Sequence, residues 1–300
     1  SCPIPPSEVD AVLLTHAHID HIGLLPRFAA QGFSGPIYGT RPTAALLETM
    51  LRDSAQIQEE DAAYKKRKQA DKHLKRTVKH PIETLYSQDD VSHVLPMVRG
   101  WQYHEPLELF PGITAKFYDA GHILGSASLE LTITENDVTR KIVFSGDIGQ
   151  QNKPIIRDPE YIDEADFVVM ETTYGDRVHE TAGDVESQLV EIWNKTREQG
   201  GNLVIPTFAM ERAQELMYYF ARLVSAGRIE PLTVFLDSPM AVDVTQIFAR
   251  FPDCYDEEAF QLIASGTAPM KFPGLKMSRT ADESKRINQF PKPCVIMASS

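Results

Sequence analysis

Cysteine is scarce, with three in 300 residues. Cys2, Cys254 and Cys294 have neither the spacing of a disulfide framework nor that of a thiolate metal site. A reducing compartment, most simply the cytoplasm, is therefore expected, with free thiols of which Cys254 and Cys294 are buried. No apolar run reaches roughly 18 residues, the length of a membrane-spanning helix, so no membrane partner is expected. The start, Ser1-Cys2-Pro3-Ile4-Pro5, has no basic region followed by an apolar one, so no signal peptide is expected there. Basic charge is also short: 30 Lys and Arg stand against 42 Asp and Glu, a net charge of -12. That argues against nucleic acid, whose phosphates are met by Lys and Arg. It does not exclude a local basic groove or a bound metal doing that work.

The composition is otherwise that of a globular protein, 42% hydrophobic and 24% charged. The length suits one large or two medium domains. One stretch dominates, Thr15-His16-Ala17-His18-Ile19-Asp20-His21. It follows the apolar run Ala11-Val12-Leu13-Leu14, as if a buried strand delivered it to a loop. Imidazole nitrogens and carboxylate oxygens are ligands for zinc, manganese and iron. A lone histidine at a strand end is ordinarily structural, but this density of donors points to a metal. In an extended backbone His16, His18 and Asp20 would share one side, and His21 would turn elsewhere as the chain enters a helix. One stretch would then feed two neighbouring metals, with further ligands coming from later in the chain.

Downstream, a short helix is expected over 22–31, a strand around Ile37, and a helix over 43–51 capped by Thr40. A polar helix over 54–78 carries Lys65, Lys66, Arg67, Lys68, Lys72, Lys75 and Arg76. Such a run is ordinarily a solvated face, and a phosphate-contacting groove is the sharper alternative. Ser87-Gln88-Asp89-Asp90 reads as a helix start. Strands are expected over 113–119, 126–134, 141–144 and 167–170, with Glu135-Asn136-Asp137 as a hairpin turn. After Gly183 strands and helices alternate, which implies a parallel sheet with crossover helices. A domain boundary is placed near residue 180. There is no internal repeat, low-complexity tract or long linker.

Three later strands end in a polar residue, two of them beside glycine: Asp119-Ala120-Gly121-His122, Ser145-Gly146-Asp147, and Val169-Met170-Glu171. Each alone reads as a turn or cap. With the first cluster they read as the missing ligands. At this point the pattern His16-Ala17-His18-Ile19-Asp20-His21, His122, Asp147 resembles the metallo-β-lactamase fold signature. The wider text, Glu171-Thr172-Thr173-Tyr174-Gly175-Asp176-Arg177, Arg212-Ala213-Gln214-Glu215-Leu216 and Leu236-Asp237-Ser238-Pro239-Met240-Ala241, resembles its β-CASP branch of nucleases, closest to the cleavage-and-polyadenylation endonuclease type.

The resemblance implies an α/β fold: a metallo-β-lactamase αββα sandwich over 1–180 with an inserted parallel-sheet β-CASP domain over 181–300. It implies two zinc ions, with His16, His18 and His122 on one, Asp20 and His21 on the other, and Asp147 bridging. A hydroxide between the metals would be the nucleophile. Asp20, Asp147 and Glu171 would be the catalytic carboxylates, Asp20 orienting the hydroxide and Glu171 supporting a late histidine. Arg177, Arg212 and Ser238 are candidate phosphate contacts, with a salt bridge or loop hydrogen bond as the plain alternative for each.

The likeness also implies a fragment. An early aspartate on a preceding strand pair and two late histidines of the family have no counterpart here, so exposed sheet edges and an incomplete site are expected. His179 matches neither histidine. Glu211 stands where many relatives have glycine. The leading expectation is a zinc-dependent phosphodiesterase acting on single-stranded RNA. The alternatives are a DNA nuclease of the same branch, a hydrolase of a small ester or lactam, and a non-catalytic subunit. The pattern does not say whether cleavage is internal or from an end, or which oligomer forms, a homodimer included.

Overall fold

The computed structural model describes residues 4–70, 81–178 and 183–299. Lys72, Lys75, Arg76 and His179 lie outside the described residues. The chain divides into two compact units, one of Ser1–Ala120, Gly125–Ile148 and Glu160–Met170, the other of Gly121–Leu124, Gly149–Pro159 and Glu171–Ser300.

The first unit is layered. Strands β1 (Val12–Leu13), β2 (Ile37–Thr40) and β3 (Val98–Trp101) form a parallel sheet in that order. Strands β4 (Leu107–Phe110), β5 (Ile113–Asp119), β6 (Ala127–Glu135), β7 (Val138–Phe144) and β8 (Phe167–Val169) form a second sheet, antiparallel except for the β7–β8 pair. The core lies between the two sheets. Leu107, Phe117, Ala127 and Leu129 of one sheet are buried, and Leu13, Tyr38 and Trp101 of the other pack on them. Each fully buried side chain of this size contributes about 1.5–3 kcal/mol. Helices α1 (Ile19–Ile22), α2 (Leu25–Ala30), α3 (Arg41–Ala70) and α4 (Gln88–Val94) make a further layer, in which α3 packs on β2 and β3. Among the described residues of this unit the order is helix, sheet, sheet. β8 ends the second sheet, and Phe167, Val168, Val169 and Met170 are exposed there.

Local chemistry explains these elements. Asn136 and Asp137, both at positive φ, join β6 to β7, and this is the expected hairpin. Ser87 starts α4 with a capping box, its hydroxyl accepting from the Asp90 N–H while the Asp90 carboxylate accepts from the Ser87 N–H. Two expectations fail. The expected helix over 43–51 and the described part of the one over 54–78 are a single helix, α3, running through Arg52-Asp53-Ser54 to Ala70, and residues 71–78 lie outside the described residues. Nothing in that tripeptide breaks a helix, and Glu48 pairs with Arg52 one turn on. β3 and β4 were not expected, and the chain leaves α4 at Val94 to begin β3 at Val98.

The second unit is built on a four-stranded parallel sheet of β9 (Leu203–Pro206), β10 (Val234–Asp237), β11 (Leu275–Ser278) and β12 (Val295–Ala298), in the order β11-β10-β12-β9. The crossovers carry α5 (Val185–Glu198), α6 (Arg212–Ser225), α7 (Pro239–Phe248), α8 (Glu257–Ala264) and α9 (Ala281–Ile287). The parallel sheet was legible in the sequence. α8, β11 and α9 were not. Helix α6 is buried on most sides, with Ala213, Met217, Phe220 and Leu223 fully enclosed. Cys254 and Cys294 are buried thiols. No described helix is long and apolar enough to cross a membrane.

Candidate metal centre

β1 ends at Leu13, and His16 follows in irregular backbone, fully buried. His18 is the last extended residue (φ -63°, ψ 147°) before the single-turn helix α1. That turn corrects the expectation that Asp20 continues a strand face. Asp20 and His21 are helical, and the turn swings the His21 ring to 4.0 Å from that of His16, centroid to centroid. The Asp20 side chain remains 75% exposed.

His16 Nε2 lies 3.1 Å from His18 Nδ1. Asp147 spans the group: its Oδ2 is 3.7 Å from His16 Nε2, and its Oδ1 is 3.3 Å from His21 Nε2. Asp20 Oδ2 is 3.7 Å from His21 Nε2. Ligand atoms of His16, His18, His122 and Asp147 all lie within 4.8 Å of one another. Around an ion with bonds of about 2.0–2.1 Å, neighbouring tetrahedral ligands stand about 3.3 Å apart. The donor set and its spacing therefore fit a metal after small adjustments.

Thr15 completes the arrangement, and its role was not foreseen. Its Oγ1 lies 3.1 Å from His16 Nδ1 and 3.4 Å from His21 Nδ1. With the Nδ1 hydrogens directed at that oxygen, both Nε2 lone pairs are left to face the centre. Ligating histidines are commonly oriented in this way. The only sequence signal was Thr15 standing immediately before His16.

Glycine brings the loops together at two points. Gly146 has φ +57°, and a Cβ there would meet Thr15 Cβ at 2.7 Å. A Cβ on Gly149 would fall 1.6 Å from the Gly121 carbonyl oxygen, so only glycine allows this approach to the loop of His122.

Side chains of the 149–215 region hold that loop. The Leu124 N–H donates to Glu211 Oε2 at 3.1 Å, and Lys153 Nζ donates to the His122 carbonyl at 3.3 Å. Lys153 Nζ is also 3.6 Å from Glu215 Oε1, while Arg212 Nη1 donates to Glu215 Oε2 at 2.7 Å. Glu211 adopts φ 68° and ψ -64°, with the Arg212 N–H bonded to the Met210 carbonyl at 3.0 Å. This is the uncommon positive-φ γ-turn, which costs a non-glycine residue of order 1–3 kcal/mol. Burial first, and the Glu211 carboxylate next, push the Tyr255 phenol up.

The remaining predicted residues have these surroundings. Glu171 follows β8 and is half-buried. Arg177 is exposed, its guanidinium 5.0 Å above the Tyr174 ring and 3.9 Å from the Asp176 carboxylate. Arg212 pairs with Glu215 yet keeps 60% of its side chain exposed. Ser238 is buried; its Oγ accepts from the Ala241 N–H at 3.2 Å, capping α7, and from the Ser299 hydroxyl at 2.6 Å.

A layered sheet pair that presents clustered histidines and an aspartate at its strand ends defines a metal-binding class of protein. Residues 4–168 match the family model described as the metallo-beta-lactamase superfamily domain, and residues 213–300 match the Beta-Casp domain. The chain belongs to the metallo-beta-lactamase superfamily, in the branch that carries a Beta-Casp domain. It is similar to Ribonuclease TTHA0252 of Thermus thermophilus, 35% identical over 98% of this chain and 62% of the relative. It is similar to Transcription termination factor FttA of Methanosarcina mazei, 33% identical over 99% of this chain and 44% of the relative. It is also similar to an RNase J-like protein of Methanocaldococcus jannaschii, at 28% identity over 97% and 60%. The chain thus spans between about two fifths and three fifths of the length of these relatives.

Proposed function

We propose that the protein carrying this chain is a zinc-dependent phosphodiesterase that cleaves single-stranded RNA. The observation that carries the reading is Asp147, whose two carboxylate oxygens face different histidines, Oδ2 toward His16 at 3.7 Å and Oδ1 toward His21 at 3.3 Å. A carboxylate so placed suits a bridge between two ions, with His16, His18 and His122 as ligands of one and Asp20 and His21 of the other. The names of two relatives, a ribonuclease and an RNase J-like protein, support RNA as the substrate.

Bound there, zinc would supply Lewis acidity toward the phosphoryl oxygens and lower the pKa of water to about 7. The chain's own groups do the rest. Asp147 holds the two halves of the site in register. Asp20, exposed at the mouth, orients the attacking water for in-line displacement at phosphorus. Glu171 supports a proton donor to the leaving oxygen. Arg177 and Arg212, both exposed, would meet the phosphates of the strand, with Ser238 as a third candidate, and Arg177 over Tyr174 offers a cationic and aromatic surface for it. In the same reading, 1–180 is the metal domain, 181–300 guides the strand, and the cytoplasm is the compartment.

The test is cleavage of a 5′-labelled single-stranded RNA, and of the DNA of the same sequence, by the full-length protein. RNA cut to products with 5′-phosphate and 3′-hydroxyl ends is expected. Preferential cutting of the DNA would move the substrate assignment. Hydrolysis of a small ester or lactam with intact RNA would overturn it.

A further inference from the structure

The loop that carries His122 is held by side chains distant in sequence, and one of them occupies a backbone conformation that a non-glycine residue rarely adopts. We propose that Glu211 is a positioning residue for the metal centre, fixing His122 through the Leu124 N–H. This rests on the metal reading of His16, His18, His122 and Asp147.

Three observations converge. First, Glu211 is 5% exposed, and its Oε2 accepts from the Leu124 N–H at 3.1 Å, across 87 residues of sequence. A carboxylate accepting a backbone N–H makes a stronger bond than a neutral acceptor, and burial strengthens it further. Second, the backbone of Glu211 sits at φ 68°, ψ -64°. Glycine would adopt this turn with less strain, so a glutamate there needs a side-chain contribution that offsets the strain. Strained residues of this kind persist where the surroundings over-determine them, and they gather at functional sites. Third, the opposite side of the same loop is also held. Lys153 Nζ donates to the His122 carbonyl, and Lys153 is in turn placed by Glu215. Glu211 and Glu215 lie one turn apart at the start of α6, so one rigid helix end grips the peptide groups on both sides of Ile123. The backbone that carries the His122 imidazole is thereby fixed.

The test is zinc affinity of the full chain by chelator competition, with melting temperature measured on the same samples. Glu211→Ala is expected to weaken zinc binding about 10–100-fold, the usual cost of losing a group that orients a ligand. Glu211→Gln keeps an acceptor oxygen and should stay within about threefold of wild type, since the neutral bond, roughly half as strong, still holds the Leu124 N–H in place. Glu211→Gly should bind zinc as poorly as Glu211→Ala while melting higher than it, because the backbone strain is relieved. In a His122→Ala background Glu211→Ala should cost nothing further. Wild-type affinity in both the Ala and Gly variants would overturn the proposal while leaving the metal reading intact, and so would a full additional loss in the His122→Ala background. Absence of zinc binding by the wild-type chain would overturn the metal reading itself, and the proposal with it.

Discussion

Gly146→Ala probes how tightly the centre is built. Gly146 precedes Asp147 and sits at φ +57°, where an L side chain costs about 1–2 kcal/mol. The new Cβ would lie 2.7 Å from Thr15 Cβ and 2.9 Å from Thr15 Cγ2. Ordinary contact begins at 3.4 Å, so one of the two loops must move by about 0.7 Å. Thr15 Oγ1 is 3.1 Å from His16 Nδ1. Where the Thr15 side chain itself yields by that amount, its contact with His16 Nδ1 passes hydrogen-bond range, about 3.5 Å. Two effects are expected together. Stability falls by about 1–3 kcal/mol, or roughly 3–10 °C in melting temperature for a unit of this size. Zinc affinity falls about tenfold or more, as the His16 ring loses its anchor. Calorimetry and chelator competition on one preparation read both. An unchanged melting temperature would refute the packing argument. A lower melting temperature with unchanged zinc affinity would refute the claim that Thr15 orients the histidines.

Thr15→Val keeps the shape and removes the hydroxyl, so zinc affinity should drop about 10–100-fold with little change in melting temperature, as chelator competition would show. Ser87→Ala removes the capping box of α4 and should cost about 1 kcal/mol in chemical denaturation, leaving zinc affinity unchanged. Asp166 accepts from the Lys141 N–H and from Arg140, and these hold its carboxyl below the usual range. A depressed folded pKa gives stability that is present above the unfolded value, about 3.9, and is lost as pH falls through the folded one. The stability gap between wild type and Asp166→Asn should therefore be full at neutral pH and close below pH about 4. A gap that widens in acid would reverse the sign.

What the sequence shows and what it hides follow from range. The histidine stretch is legible because its candidate ligands lie within six residues, three of them separated by apolar ones. β5 is legible because Ile113–Asp119 runs between clear turns, and its bounds agree with the structure. The division of α3 was misread because Arg52-Asp53-Ser54 is polar, yet polarity without glycine or proline does not end a helix. β11 escaped notice because Leu275-Lys276-Met277-Ser278 is four residues with a lysine inside. It is a strand because it lies parallel to β10 in register. The turn of Asp20 and His21 into α1 depends on one pair of dihedral angles at His18, which no spacing reports. Thr15 and Glu211 act through contacts set by the fold. Glu211 reaches Leu124 across 87 positions, and nothing local to either residue announces it.

The central claim is that His16, His18, Asp20, His21, His122 and Asp147 hold metal. The most direct measurement is zinc per chain by mass spectrometry after reconstitution and desalting, for wild type and Asp147→Ala, each with a parallel RNA-cleavage assay on the full-length protein. About one to two zinc ions per wild-type chain are expected, falling to less than half with Asp147→Ala, and RNA cleavage falling with them. Wild-type chain that retains no zinc, or Asp147→Ala that retains all of it and cuts RNA as before, would contradict the account.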